Sequence, residues 1–466
     1  MARTDSALRD LVDLEHGVIS REVFVSDEVY AREQEQIFAR AWLFVGHESQ
    51  IPQPGDYFVS CMGEESVILT RDLQGGIHVL LNTCRHRGMK VCRYDEGNTQ
   101  AFTCPYHGWT YSVDGRVVQV PGDLVGVPRF EDAYHGALDK DAWGLVHVAQ
   151  QVNYKGTIWA TWDPAAPPFL EYLGGMRLWL DALLDCRDGR AGGSQAIVGV
   201  QKYRLRSNWK FAVENNIGDF YHGATTHRSV EAVNIFGDGG AQQMRSGRPQ
   251  NKSRGGRRRD GAVSFPALGH GARDGVPDLR DDERPVFEDP VVREYYEQVY
   301  AERERRLAGQ PRPYGGGAIF PNMSFHSPFP RTILVSQPRG PLLSESWRWY
   351  LVDADAPREV QDLLRHYFMR YYGPAGMVEQ DDAENWRYAS EASRGVIARR
   401  YPYNYQMGLG YARPVESVPG AVDGGGFFSE ENARSFFGRW AQLMAAPSWD
   451  ALHAAGEGRA NGRGRE

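Results

Sequence analysis

The chain has 466 residues, more than one compact core holds, so two domains or one large elaborated domain are expected. A hydrophobic share of 41% and a charged share of 24% belong to a globular protein, and a net charge of −7 argues against nucleic-acid or membrane-surface partners. No run reaches the roughly 20 apolar residues of a membrane span, and five cysteines in so long a chain make no disulfide framework.

The N-terminal run MARTDSALRDLVDLEHG lacks a hydrophobic signal core, which predicts a cytoplasmic protein. Residues 26–42 read as a helix. Ser26 is its N-cap, Asp27 and Glu28 meet the helix dipole, and Tyr30, Ile37, Phe38 and Ala41 form an apolar stripe. From Trp42 to Trp162 the texture changes to short runs such as YFVSCM, SVILTRD, IHVLLNT and TIWATW, separated by Gly, Asp and Asn. These predict a small all-β domain over 42–162, following an N-terminal helical segment 1–41. Cys61, Cys92 and Cys186 read as plain reduced thiols.

WDPAAPP (162–168) is a stiff boundary, after which helical and strand patterns mix over 163–446. YLGGMRLWLDALLD reads as a helix interrupted by glycines, AIVGVQKYRLRSNWKF as strand, and VENNIGDFYHGATTH as helix. Residues 237–286, rich in Gly, Arg and Asp, read as a long loop on the surface. Strands return in AIFPNMSFH, RTILVSQPRG and SWRWYLVDAD, followed by a helix in REVQDLLRHYFMRYYG. Ser429 is expected to cap a last helix whose Phe436, Phe437, Trp440 and Met444 share a face, ahead of a disordered tail over 447–466.

The first chemical signal lies in the all-β region. Cys84-Arg-His86 and Cys104-Pro-Tyr-His107 each hold one thiolate and one imidazole. That ligand set suits a Rieske [2Fe-2S] cluster, with both Cys on one iron and both His on the other. Two Cys and two His also suggest Zn, but zinc fingers pair Cys with Cys and His with His along the chain, whereas each arm here carries one of each. Gly88 and Gly108 follow the two arms and permit close backbone approach, and Trp109 is placed to shield the cluster.

A second signal lies in Glu214-Asn-Asn-Ile-Gly-Asp219-Phe-Tyr-His222-Gly-Ala-Thr-Thr-His227. Two His and one carboxylate on one face of an iron leave positions open for O2. Asp219 and His222 share a helical face, but His222 and His227 are about 140° out of phase on a regular helix. Both reach one metal only if the helix widens or breaks, for which Gly223 is the candidate. The carboxylate is open: Asp219 is local, yet fits equally well as a group orienting His222 through its other nitrogen, and the acidic cluster of EQDDAENW, with Glu379, Asp381, Asp382 and Glu384, is a second source.

CRHRG followed by CPYHGWTY resembles the Rieske motif of the large (α) subunits of aromatic-ring-hydroxylating oxygenases, and the similarity extends over nearly the whole chain. The resemblance implies an α+β fold, with an all-β Rieske [2Fe-2S] domain plus a helix-grip catalytic domain, an antiparallel sheet wrapped on a long helix, and the N-terminal segment packed on the latter. GPAGMVEQDDAENW is similar to the family segment that donates the carboxylate, which makes Asp382 the ligand with His222 and His227, Asp381 remaining an alternative. Asp219 matches the residue that bridges His222 to a Rieske histidine, here His107, of a neighbouring subunit. The implied pocket includes Asn215, Asn216, Ile217, Tyr372 and Val378, with Phe325 and His326 beside it.

The activity so implied is insertion of both atoms of O2 into an aromatic ring to give a cis-dihydrodiol. Electrons come from NAD(P)H through a reductase and a ferredoxin to the cluster and on to a mononuclear Fe(II). Family members form trimers, alone or as α3β3 with a small β subunit. No single carboxylate-binding residue declares itself, which favours a neutral mono-, bi- or polycyclic arene. The alternatives are a Rieske oxygenase acting on an aromatic carboxylate such as salicylate, phthalate or benzoate, a demethylase, and a pure electron-transfer protein.

Overall fold

A computed structural model describes residues 10–120, 133–197, 199–219, 221–228, 262–272, 289–308, 313, 315–327, 330–426 and 428–452. The chain divides into two compact units, one of Ala39–Ala166 and one of Met1–Phe38 with Pro167–Glu466.

In the second unit, after a short strand pair and one helical turn, helix α1 spans Asp27–Glu33, where Ser26 Oγ accepts from Val29 N as expected of the N-cap. The helix does not run to residue 42. It passes into one π turn, Gln34–Phe38, and stops.

Within Ala39–Ala166 the strands are β1 (Leu43–His47), β2 (Asp56–Met62), β3 (Glu65–Arg71), β4 (Ile77–Leu81), β5 (Glu96–Asn98), β6 (Ala101–Thr103), β7 (Thr110–Ser112), β8 (Val117–Gln119), β9 (Gln150–Tyr154) and β10 (Thr157–Thr161). They form three antiparallel sheets, β4-β3-β2-β5, β6-β7-β8 and β9-β10-β1. The β2–β3 hairpin turns in two residues, with Gly63 at φ +65° in the conformation a tight hairpin needs. Two loops matter most: one between β4 and β5, and the tight β6–β7 connection.

In the other unit, α2 (Arg177–Leu184) follows a short helix broken at Gly174. Strands β11 (Ser194–Ala196) and β12 (Gln201–Leu205) come next. The expected strand through WKF ends at Leu205, because the Asn208 side chain accepts from Lys210 N and caps helix α3, Trp209–Ile217. Beyond lie β13 (Val263–Phe265), β14 (His270–Ala272), α4 (Pro290–Leu307), β15 (Gly316–Ile319), β16 (Met323–His326), β17 (Thr332–Pro338), β18 (Ser344–Asp353), α5 (Arg358–Tyr371), α6 (Glu379–Ser393), β19 (Arg413–Pro414), β20 (Val422–Asp423) and α7 (Glu431–Ala445). Ten strands make one antiparallel sheet in the order β11-β18-β17-β16-β15-β14-β13-β20-β19, with β12 also on β18. Helices α3 and α7 pack against this sheet and against each other. The fold is α+β, one unit all-β and the other built of sheet and helices.

Three further expectations change. Residues 262–272, placed in a long loop, form the hairpin β13–β14 in the interior of the sheet, with Val263, Phe265 and His270 buried; the rest of 237–286 lies outside the described residues. The tail does not begin at 447, because Trp449 and Leu452 are buried; residues 453–466 lie outside the described residues. Helix α7 is buried around most of its girth rather than on one face. Ser429 Oγ does accept from its first N–H, Glu431 N, at 3.2 Å. The five cysteines form no disulfide. Among the described residues no helix is long and apolar enough to cross a membrane.

Candidate metal centres

The two Cys/His arms have the same backbone design. In the β4–β5 loop, Gly88 N donates to Cys84 O and Cys84 N donates to Met89 O, at 2.9 and 2.8 Å. In the β6–β7 loop, Gly108 N donates to Cys104 O and Cys104 N to Trp109 O, at 2.9 and 2.7 Å. Both turns close on a glycine in the left-handed region, Gly88 at φ +73° and Gly108 at φ +75°, which explains glycine at that place in each arm. The turns bring the His86 and His107 rings to 4.6 Å between centroids and bury both cysteines.

The surroundings fit a cluster. Trp109 stacks on His86 at 5.4 Å with ring planes 4° apart. Tyr111 OH lies 3.2 Å from Cys84 Sγ and accepts from Arg85 N at 3.1 Å. His86 Nδ1 is buried with no hydrogen-bond partner, which an imidazole bound to metal through that atom explains. Burial, then the neighbouring His107 and Arg87, pushes the His86 pKa down and keeps the ring neutral, the form that ligates metal. Burial pushes the Cys104 thiol up, so a thiolate there needs a compensating cation. A single tetrahedral Zn holds its donors about 3.3–3.8 Å apart. No three of these four donors lie within 4.8 Å of one another, which disfavours Zn and suits a two-iron cluster.

The second centre rests on a break that the sequence located slightly wrong. Helix α3 ends at Ile217 and Gly218, before Asp219, rather than opening at Gly223. A Cβ on Gly218 would meet Asn432 at 2.6 Å. A single helical turn, Gly223–Thr226, then carries His222 at its start and His227 at its end. The chain leaves helical geometry at His227, so the five-residue spacing no longer points the imidazoles apart, and their centroids lie 5.2 Å from each other.

Asp382 reaches them from the first turn of α6. Its Oδ1 lies 3.5 Å from His222 Nε2 and 3.4 Å from His227 Nε2. Cis ligands of an octahedral metal with bonds of about 2.1 Å sit about 3 Å apart, so the three donors fit one ion with a small contraction. Among the described residues this is the one His/Cys/Asp/Glu trio tight enough for a metal ion. The other ring nitrogens face carboxylates: Asp219 Oδ1 is 3.1 Å from His222 Nδ1, and Asp381 Oδ2 is 3.7 Å from His227 Nδ1. Asn385 Nδ2 donates to Thr226 Oγ1 at 3.1 Å and ties α6 to the histidine turn.

The residues assigned to a pocket are not all alike. Asn215 Nδ2 donates to Asp382 Oδ2 at 3.4 Å, so it touches the carboxylate itself. Asn216 Nδ2 turns back to Ala212 O, and Ile217, Val378 and Phe325 are buried. Tyr372 is half-buried, with Arg348 Cζ 4.1 Å over its ring and His326 edge-on at 6.1 Å. Sequence reasoning missed Glu214, whose two carboxylate oxygens accept from Tyr405 OH at 2.9 Å. Burial first, then Asp219 and Glu430, pushes its pKa up to about 8. It also missed the Arg348–Glu379 pair, since an Arg in SWRWYLVDAD gives no sign of being buried.

The chain matches the Rieske [2Fe-2S] domain family over residues 41–130 and the ring hydroxylating alpha subunit (catalytic domain) family over residues 195–446. It is 38% identical to the biphenyl dioxygenase subunit alpha of Paraburkholderia xenovorans, covering 96% of this chain and 95% of that one. It is 35% identical to a benzene 1,2-dioxygenase subunit alpha of Pseudomonas putida, with 96% of each chain covered. The crystal structure of naphthalene 1,2-dioxygenase from Rhodococcus sp. bound to indole superposes with a TM-score of 0.77 at 33% identity, covering 96% of this chain and all of that one. In sequence and fold alike, the chain belongs to the α subunits of ring-hydroxylating dioxygenases, oxidoreductases that use a Rieske [2Fe-2S] cluster, a mononuclear iron and O2.

Proposed function

We propose that this chain dihydroxylates a neutral aromatic ring, with a Rieske cluster on Cys84, His86, Cys104 and His107 and one Fe(II) on His222, His227 and Asp382. The observation that carries the reading is the approach of both Nε2 atoms to a single oxygen of Asp382. Bound there, Fe(II) supplies open positions for O2 beside the substrate. Asp219, against His222 Nδ1, fixes the ring so that Nε2 is the donor. Asp381 stands at the outer nitrogen of His227, which supports Asp382 over Asp381 as the ligand. In a trimer, with or without a small β subunit, Asp219 would also accept from His107 of the partner subunit and so connect the two centres.

An arene plus O2, two electrons and two protons balances to a cis-dihydrodiol. The electrons pass from NAD(P)H through a reductase and a ferredoxin, the arrangement under which this family works as terminal oxygenases. An uncharged substrate is supported by Arg348. This cation, stacked on Tyr372, is neutralised by a two-point ion pair with Glu379 and is not available to an aromatic acid. The relatives named for biphenyl and benzene point the same way.

Product analysis under 18O2 tests the proposal, using the chain with ferredoxin and reductase and a panel of biphenyl, benzene, naphthalene, benzoate and salicylate. The expected product is a cis-dihydrodiol of a neutral arene with both oxygens from one O2. Turnover of the acids alone, or a product with one oxygen from O2, would overturn it.

A further inference from the structure

One buried ion pair ties the candidate pocket wall to the candidate ligand helix. Arg348 stands in the middle of β18 and Glu379 is the first residue of α6; both are buried. Arg348 Nη2 and Nε donate to the two oxygens of Glu379 at 2.6 and 3.1 Å. Its Nη1 donates to Thr332 Oγ1 of β17 at 2.9 Å. Glu379 Oε2 also accepts from Gly373 N at 2.5 Å. The carboxylate therefore joins a sheet strand, the turn after α5 and the start of α6.

Two backbone hydrogen bonds close that turn. Met377 N donates to Arg370 O and Val378 N to Tyr371 O, at 3.0 and 3.2 Å. Gly373 has φ +85°, and a Cβ there would lie 1.9 Å from Gln201 Oε1. Tyr372 and Val378, the two wall residues, flank the segment so closed, and Asp382 follows Glu379 by one helical turn. A Lys would supply charge at position 348, but not the planar fork or the stack on Tyr372. Stability alone does not explain the pair, because well-packed apolar residues of similar volume usually replace a buried ion pair without loss.

We propose that Arg348 and Glu379 are positioning residues that fix the Tyr372 wall relative to Asp382, so that the ring is held where O2 is activated. This rests on Asp382 as an iron ligand. Loosening the pair lets the substrate shift by a fraction of an ångström to an ångström, enough for a large loss of productive geometry.

The test compares Arg348→Lys and the charge-free double variant Arg348→Met/Glu379→Leu with the wild-type chain and its electron donors. Thermal unfolding, iron per chain, KM for the arene and product formed per O2 consumed are measured. Expected are folded variants in which KM rises roughly tenfold and product per O2 falls below about half of wild type. Folded, iron-loaded variants with both quantities within about twofold of wild type would overturn the proposal. Failure of both variants to fold would overturn it too, since the pair would then serve the core alone. Asp382→Ala, measured in parallel, separates the underlying reading: if that variant keeps its mononuclear iron, the ligand assignment fails whatever the clamp variants do.

Discussion

His270 shows how much one side chain hides in a sequence. It lies in a stretch that reads as a Gly- and Arg-rich excursion, yet it is fully buried in β14. Its Nε2 lies 2.7 Å from Tyr172 O and its Nδ1 accepts from Phe320 N at 3.0 Å, so the ring is neutral with the proton on Nε2. Burial first, and Arg439 after it, lowers its pKa to about 4. A histidine depressed in the folded state stabilises the fold fully above about pH 6.5, and that contribution is lost as pH falls toward 4. The loss from this group between pH 7 and pH 5 is about 2 kcal/mol. His270→Gln keeps an N–H for Tyr172 without a titrating ring. Urea unfolding at the two pH values should show a smaller acid loss in the variant, and an unchanged difference would refute the assignment. The residue scale was also the most legible one where chemistry demands particular types. Cys84, His86, Cys104, His107, His222 and His227 stand out because few other roles place those residues so close along the chain. Glu214 and Glu379 do not, because an acid reads as surface until its neighbours are known.

At the scale of elements, local pattern and distant contact part company. The stripe of Tyr30, Ile37 and Phe38 predicted α1, but neither the π turn that ends it nor the distant partners of its last residue. Glu33, at the junction, is fully buried and accepts from Lys210 Nζ at 2.5 Å, Trp209 Nε1 at 2.9 Å and Trp440 Nε1 at 2.7 Å. One carboxylate thus joins α1, α3 and α7. Helix α4 went unread for a different reason: it buries only Val292, Tyr296 and Tyr300, a narrow stripe among many Glu and Arg. The ion pair carries a prediction. Glu33→Ala leaves the Lys210 ammonium and two indole N–H groups buried without an acceptor, and should cost about 3–5 kcal/mol in urea unfolding. Glu33→Gln/Lys210→Met removes both charges while keeping an acceptor for the indoles, and should recover much of that loss. Equal damage in the two variants would show that packing volume, not the uncompensated charge, sets the cost.

Across the whole molecule, the two donor sets fall in different units of the chain, one in Ala39–Ala166 and the other in Met1–Phe38 with Pro167–Glu466. Each set's local half was legible in sequence. Asp382 was not, because it meets His222 and His227 only through the packing of α6 on the histidine turn, and resemblance rather than spacing selected it over Asp381. The antiparallel sheet was likewise expected through resemblance and not from local pattern, since its ten strands are drawn from residues 194 to 423. What joins the centres is then a question of assembly. If a cluster serves the iron of the adjacent subunit, two dead variants can complement each other. Cys84→Ser disables the cluster and leaves His222, His227 and Asp382 intact; Asp382→Ala does the reverse. In a cyclic trimer containing both variants, whichever is in excess, one subunit with a sound iron site receives electrons from a subunit with a sound cluster. Mixed trimers isolated through two different tags should therefore recover about a third of wild-type turnover, although either variant alone has none. If cluster and iron act within one chain, every subunit in the mixture lacks one of its two centres and turnover stays at zero. Tag-purified mixtures with intact cluster and iron spectra but no product would sink the cross-subunit arrangement, and so would failure to recover any mixed oligomer.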